Sequence, residues 1–389
     1  MMSMTSSRRR LVVSMSAFVL ASVPLLGREA ASPDDRSNAS SSCGTRGLRE
    51  RLHCYSEQFY GLFRRGSDPA AALAEVKRIA YGPSGPGNDC HLIMHTVGRR
   101  YASTQGVTLG TLMEYLPRDN DPGCSAGFAH GLITGVAQRT NLADPQAAVS
   151  VCERVGTRYQ RYSCVHGLGH AFMRGNGEAL EPALALCSGL GPSKAADCAQ
   201  GAYHDYWFSV VGWDDTVGTP EPKTPKALCA VQPSSFVLPC WYRALIETRP
   251  SGYQTKTPAD LLRHCGDLAG LQREGCMAAA SVIGSANPLE QFSVCSQLGG
   301  ADIVSCLHGV KVQNLMDLPR VNQLRLIQRC DRFDRGTATA CFEWFGKMLS
   351  VITNGGFESW GCPMLKEAAA RDACVRGAKR MDEALVTFS

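Results

Sequence analysis

The chain lacks the short signatures from which an activity is usually read. It contains no G-x-S-x-G elbow, no H-E-x-x-H, no P-loop and no dinucleotide fingerprint. The chemistries those motifs carry therefore have nothing to rest on. Gly167-Leu168-Gly169 follows a Cys-opened helix and not a strand, which excludes a phosphate loop on context. Basic residues form no run beyond the N-terminus, and the formal charge is only +5 over 389 residues, so nucleic acid is set aside as a partner. The cysteines include no C-x-x-C-H haem attachment and no pair at the two- to four-residue spacing of a zinc knuckle. Asp214-Asp215, the conspicuous acidic pair, falls in a Pro- and Gly-rich stretch and reads as solvated loop acids.

What is present begins with an export signal. Arg8-Arg9-Arg10 precedes the apolar run from Leu11 to Leu26, the charged and hydrophobic regions of a secretory signal over residues 1–27. Gly27, Ala30 and Ala31 are the candidate cleavage positions, and no Cys follows the run to carry a lipoprotein anchor. An uncleaved N-terminal anchor is the alternative, at the short limit of a span, and would be the chain's membrane contact. The hexamer Ser7-Arg8-Arg9-Arg10-Leu11-Val12 resembles a twin-arginine signal with Leu at its aromatic position. Residues 28–42, rich in Ser, Ala and Asp, read as a flexible linker.

Eighteen cysteines agree with an extracytoplasmic, oxidising location: secreted, periplasmic or at the cell surface. Sixteen of them pair at a separation of eleven or twelve: 43/54, 152/164, 187/198, 229/240, 265/276, 295/306, 330/341 and 362/374. Cys90 and Cys124 stand outside this scheme and are expected to staple two neighbouring units, with thiolate ligation as the less favoured role. Each unit has an amphipathic segment ending in the first Cys, a short loop, and a second segment opening at the second Cys. Asp144-Pro145 and Thr257-Pro258 place Pro just after a capping residue, the expected helix start. The second cysteines recur mostly every 30 to 42 residues, the length of a helical hairpin repeat.

The expected fold is therefore all-α: an α-solenoid of disulfide-stapled helical hairpins. In period and hairpin pattern, residues 43–389 resemble tetratricopeptide and Sel1-like repeats, a resemblance that implies the architecture and no activity. Two glycines and three prolines interrupt the array over 210–226 and divide it into 43–209 and 227–389.

The two groups differ in histidine. Cys124, Cys164 and Cys198 are each followed by Gly at the third position (Gly127, Gly167, Gly201) and His at the sixth (His130, His170, His204). His166 adds a second imidazole one turn before His170, and His91 and His95 repeat that spacing after Cys90. At about 100° per residue, the second and sixth positions share one side of the helix, at the edge of its buried face. His91 and His95 sit at positions one and five, so they join the others only if that repeat slips by one residue. Glycine at the third position would let neighbouring helices approach closely. Later repeats keep the cysteines and often the Gly (Gly309, Gly377) but carry Ile246, Val282, Val312, Lys347 and Arg380 at the sixth position. The fold does not need the histidines there.

His91, His95, His130, His166, His170 and His204 are accordingly the candidate ligands of a transition metal, copper or zinc, because an imidazole-dominated set without an obvious carboxylate disfavours magnesium and calcium. Grouped as His91/His95/His130 and His166/His170/His204, they resemble in count the paired three-histidine sites of type-3 copper proteins such as tyrosinases, which would imply redox chemistry on a small substrate. A bis-histidine haem is the other arrangement considered; Tyr203, Trp207 and Phe172 lie nearby but read as core. The competing reading makes the histidines hydrogen-bonding struts within their hairpins, as expected for His53, His264 and His308. The chain would then be a non-catalytic scaffold binding a protein partner on a concave surface.

Overall fold

The computed structural model describes residues 43–383 apart from 45, 66–67, 141–143, 211–222, 249–256, 285–286 and 311. The expected signal, the linker and most of the interrupting loop lie outside the described residues. What is described is all-α. In the N-terminal part the helices are α1 (Leu48–Arg65), α2 (Pro69–Ala80), α3 (Cys90–Gln105), α4 (Leu112–Tyr115), α5 (Cys124–Ala137), α6 (Pro145–Glu153), α7 (Arg158–Gly175), α8 (Leu180–Ser188) and α9 (Pro192–Val210). There follow α10 (Pro225–Cys229), α11 (Ser234–Thr248), α12 (Pro258–Cys265), α13 (Gly270–Gly284), α14 (Pro288–Cys295), α15 (Ala301–Leu307), α16 (Val312–Met316), α17 (Arg320–Gln328), α18 (Arg335–Ile352), α19 (Gly356–Trp360) and α20 (Ala368–Lys379).

The outer helices start where local chemistry dictates. Asp68, Asp144, Thr224, Thr257 and Asn287 each cap a free backbone N–H with the side chain and precede a Pro at the first helical position. Such a cap contributes about 1 kcal/mol, and the proline has no N–H to leave unsatisfied. The inner helices, apart from α3 with Cys90, contain the second cysteine of each pair, and they pack in sequence, α3 on α5, α5 on α7, α7 on α9, α9 on α11, and so on to α20. From α6 onward each outer helix with a disulfide lies against the inner helix it is stapled to, whereas α2 packs on α1 and α5.

All eight local disulfides form as the spacing predicts, and Cys90 joins Cys124 at the heads of the adjacent helices α3 and α5. No described cysteine is free, which leaves no thiolate for ligation and points to an oxidising environment. A loop this short, once closed, contributes on the order of 2–3 kcal/mol. No described helix is long and apolar enough to cross a membrane.

Glycine sets the spacing of the inner layer. A Cβ on Gly127 would lie 2.1 Å from the His91 carbonyl oxygen, and one on Gly201 would lie 1.9 Å from that of His166. Only hydrogen fits there, so α3 and α5, and likewise α7 and α9, run backbone against backbone. The layer also curls. The His91 and His204 rings are 6.4 Å apart although α5 and α7 lie between their helices, whereas four helices in a flat row at 8–10 Å spacing would span about 24–30 Å. The last repeat in turn meets α7, where Arg158 donates to the carbonyls of Met381, Asp382 and Glu383.

Candidate metal centre

Four consecutive inner helices deliver the six candidate histidines: α3 carries His91 and His95, α5 His130, α7 His166 and His170, and α9 His204. Their rings form one connected cluster. Centroid separations run from 4.9 Å for His91–His95 through 5.1 Å for His95–His130, 5.0 Å for His130–His166 and 4.9 Å for His166–His170 to 5.0 Å for His170–His204. A cross-contact of 4.7 Å joins His95 to His170. His91 and His95 are half-buried, at the edge of a buried face as helix periodicity suggests, but the other four lie deeper. His130, His166, His170 and His204 are buried outright, because the curl of the inner layer wraps its neighbours around them.

Outer partners decide which nitrogens point inward. His91 Nδ1 lies 2.9 Å from the Pro122 carbonyl oxygen, which can only accept, so Nδ1 carries the proton and Nε2 the lone pair. That Nε2 faces His95 Nε2 at 3.1 Å, which in turn faces His130 Nδ1 at 3.2 Å. His130 Nε2 is held by Ser163 Oγ at 2.9 Å. On the other side His170 Nδ1 donates to Asp205 Oδ1 at 3.4 Å, leaving its Nε2 lone pair 3.2 Å from His166 Nε2. An imidazole held from behind by a carbonyl or carboxylate is the usual arrangement of a metal-ligating histidine. With metal–nitrogen bonds of about 2.0–2.1 Å, donors 3.1–3.2 Å apart subtend about 100° at an ion, between square-planar and tetrahedral values.

Donor atoms of His91, His95 and His130 lie within 4.8 Å of one another, and so do those of His130, His166 and His170; either triad could hold a metal ion. The second grouping differs from the one read along the chain. His130 joins His166 and His170, while His204 turns Nε2 toward Glu247 Oε1 at 3.4 Å. The Nδ1 atoms of His166 and His204 are buried and accept no hydrogen bond. Burial, then the neighbouring imidazoles, pushes His95, His130 and His166 well below the ordinary histidine range. For His204, burial is followed by the Arg243 guanidinium. Neutral rings keep lone pairs available to a cation at neutral pH.

Two carboxylates stand behind the rings, where the sequence offered no obvious one. Asp205 is immediately next to His204, a signal present in the chain but visible only once α9 faces α7. Burial opposes its charge, but the Arg174 guanidinium and His170 outweigh that and hold its carboxyl down at about 2; Arg174 Nε lies 3.0 Å from its Oδ2. Glu247, on α11, is paired with the buried Arg243 at 3.1 Å. Because α11 belongs to the second group of repeats, nothing in the local pattern announces Glu247 or Arg243. Imidazole nitrogens already in contact leave no slot for a porphyrin, and Tyr203, Trp207 and Phe172 are core.

The remaining histidines stay apart from the cluster: His308 Nδ1 pairs with Glu274 at 2.8 Å, and burial and then Arg263 lower His264 from the ordinary range. His53 lines a cavity of about 180 Å³ whose walls also include His95, His170 and His204. No family model, curated protein or solved structure matches this chain.

Proposed function

We propose that this is an exported helical-repeat protein whose N-terminal repeats bind a transition metal, zinc or copper, through His91, His95, His130, His166, His170 and His204. His91, His95 and His130 hold one ion. His166 and His170 hold a second together with His130, whose donor atoms lie within 4.8 Å of theirs, and the His204 ring flanks this set 5.0 Å from His170. The observation that carries this reading is the tautomer pattern. Pro122 and Asp205 take the outer protons of His91 and His170, so lone pairs converge inside at coordination spacing. Oxidised cysteines support export to the secretory or periplasmic space. Copper in such a paired site would extend the function to redox chemistry on a small substrate.

The test is the metal content and affinity of purified, oxidised protein. His166→Ala and His170→Ala should each weaken binding by about 100-fold, since removing even an outer partner of a ligand costs 10- to 100-fold. His308→Ala is the matched control, at the second position after Cys306 but paired with Glu274, and should bind as the unaltered protein does. If all three variants bind alike, the imidazoles are packing groups. The protein is then a scaffold for a protein partner.

A further inference from the structure

The second group of repeats builds a cavity from the positions that carry imidazole in the first. Lys347 and Arg380 are the sixth residues after Cys341 and Cys374, and His308 is the second after Cys306, the places that His170, His204 and His166 take in the first group. All three line a cavity of about 340 Å³, more than twice the roughly 150 Å³ that accepts benzene. Its charges are matched within the protein. His308 Nδ1 lies 2.8 Å from Glu274, Glu343 is paired with Arg376 at 2.8 Å and Arg380 at 3.7 Å, and Lys347 lies 3.9 Å from Glu383. Walls whose ions already answer one another suit a neutral ligand, and Leu238, Val304, Ala340 and Trp344 give it apolar contact. Two of the lining groups have chemistry to offer such a molecule. The indole N–H of Trp344 is buried and meets no acceptor among the described residues. An indole nitrogen can only donate, so an oxygen lone pair entering the cavity is favoured there. Lys347 is mostly buried, and its ammonium is pushed down to about 8: burial dominates, Glu383 and Asp197 oppose it, and Arg380 and Arg158 add to it. Burial thus outweighs the Glu383 pair, and a nucleophilic amine is available near neutral pH.

We propose that this cavity binds a small aldehyde with an apolar body and captures it as an imine on Lys347. The Nζ lone pair attacks the carbonyl carbon while the carbonyl oxygen accepts from the Trp344 indole. Both amine hydrogens then leave with that oxygen as water, and C=N replaces C=O. No oxidant, reductant or metal enters the step, so it stands independently of the histidine centre.

Competitive labelling of the full chain tests the proposal. With benzaldehyde and cyanoborohydride at about pH 7.5, peptide mapping should find Lys347 benzylated at least about tenfold faster than the exposed Lys366 and Lys379, because a far larger fraction of its amine is neutral. The Lys347 rate should also saturate as benzaldehyde rises. Trp344→Leu keeps an apolar wall and removes the indole N–H; it should slow Lys347 labelling by about tenfold, the worth of one hydrogen bond, and leave Lys366 and Lys379 unchanged. Lys347 labelled no faster than the exposed lysines in the unaltered protein would overturn the proposal without any variant having to fold. Fast labelling that rises linearly with benzaldehyde, or that Trp344→Leu leaves unchanged, would show a reactive amine without a binding site and overturn it equally.

Discussion

At the scale of single residues the centre is defined by protons. His95, His130, His166 and His204 are held well below the histidine value of 6.5, so they are neutral in the folded chain at a pH where unfolded imidazoles have begun to charge. Below 6.5 the unfolded state binds more protons than the folded one, and stability must fall as pH falls. The melting temperature of the metal-free protein should therefore be level above about pH 7 and drop between about pH 6.5 and 5, with bound metal released over the same interval. Asp205 acts in a lower window. Its carboxyl moves from the ordinary 3.8 to about 2, so its contribution is complete above about pH 4 and lost as pH falls through about 2. Urea denaturation at a series of pH values resolves both steps; a stability unchanged from pH 7.5 to 5 would mean the imidazoles are not buried as neutral rings.

At the scale of the helix the active contribution comes from what glycine omits. Gly127→Ala places a methyl group 2.1 Å from the His91 carbonyl, and Gly201→Ala places one 1.9 Å from that of His166. Each must separate two helices that carry candidate ligands, at a cost of about 1–3 kcal/mol or more. Metal affinity should fall with stability, because the separated pairs are the ones whose nitrogens converge. Gly175→Ala at the end of α7 meets nothing within 4 Å and should leave both unchanged. Thermal melts and metal titrations of the three variants make the comparison. The Cys90–Cys124 bond works on the same pair, pinning the heads of α3 and α5 beside His91.

The whole molecule is held by a long-range clasp. Arg158, almost wholly buried at the start of α7, donates to carbonyls of residues 381–383 and lies 3.7 Å from the buried Asp197. Arg158→Ala removes that guanidinium from a buried carboxylate and frees the last repeat from α7. Breaking a buried pair in this way costs about 3–5 kcal/mol. Metal stoichiometry should hold, since none of the six imidazoles touches Arg158 in the contacts described. Denaturant melts with metal analysis of the same samples check it; an unchanged midpoint would show that the clasp does not contribute. The two groups of repeats are also joined at the centre itself. All six imidazoles precede residue 209, which suggests a self-sufficient N-terminal half, yet Glu247 and Arg243 from α11 stand against His204.

The cysteine spacing by itself determined the hairpins, because a disulfide closing eleven or twelve residues can only clamp two helices that follow one another in the chain. The same local logic placed the helix starts at cap–Pro pairs. It also selected the six histidines, since the later repeats show that the fold stands without imidazole at those positions. Tertiary structure alone decided how the imidazoles meet. Counting from Cys90 puts His91 and His95 one residue out of register, but Cys90 belongs to an inter-repeat bond and does not mark a hairpin, so its count carries no register. Periodicity gives each helix a face; the curl that brings α3 to α9 depends on glycine contacts, inner-layer packing and the clasp summed over many residues. For the same reason Glu247 and Arg243, and the placing of His130 with both sets of candidate ligands, were not legible along the chain. They are juxtapositions across repeats, and a repeat motif records only its own hairpin.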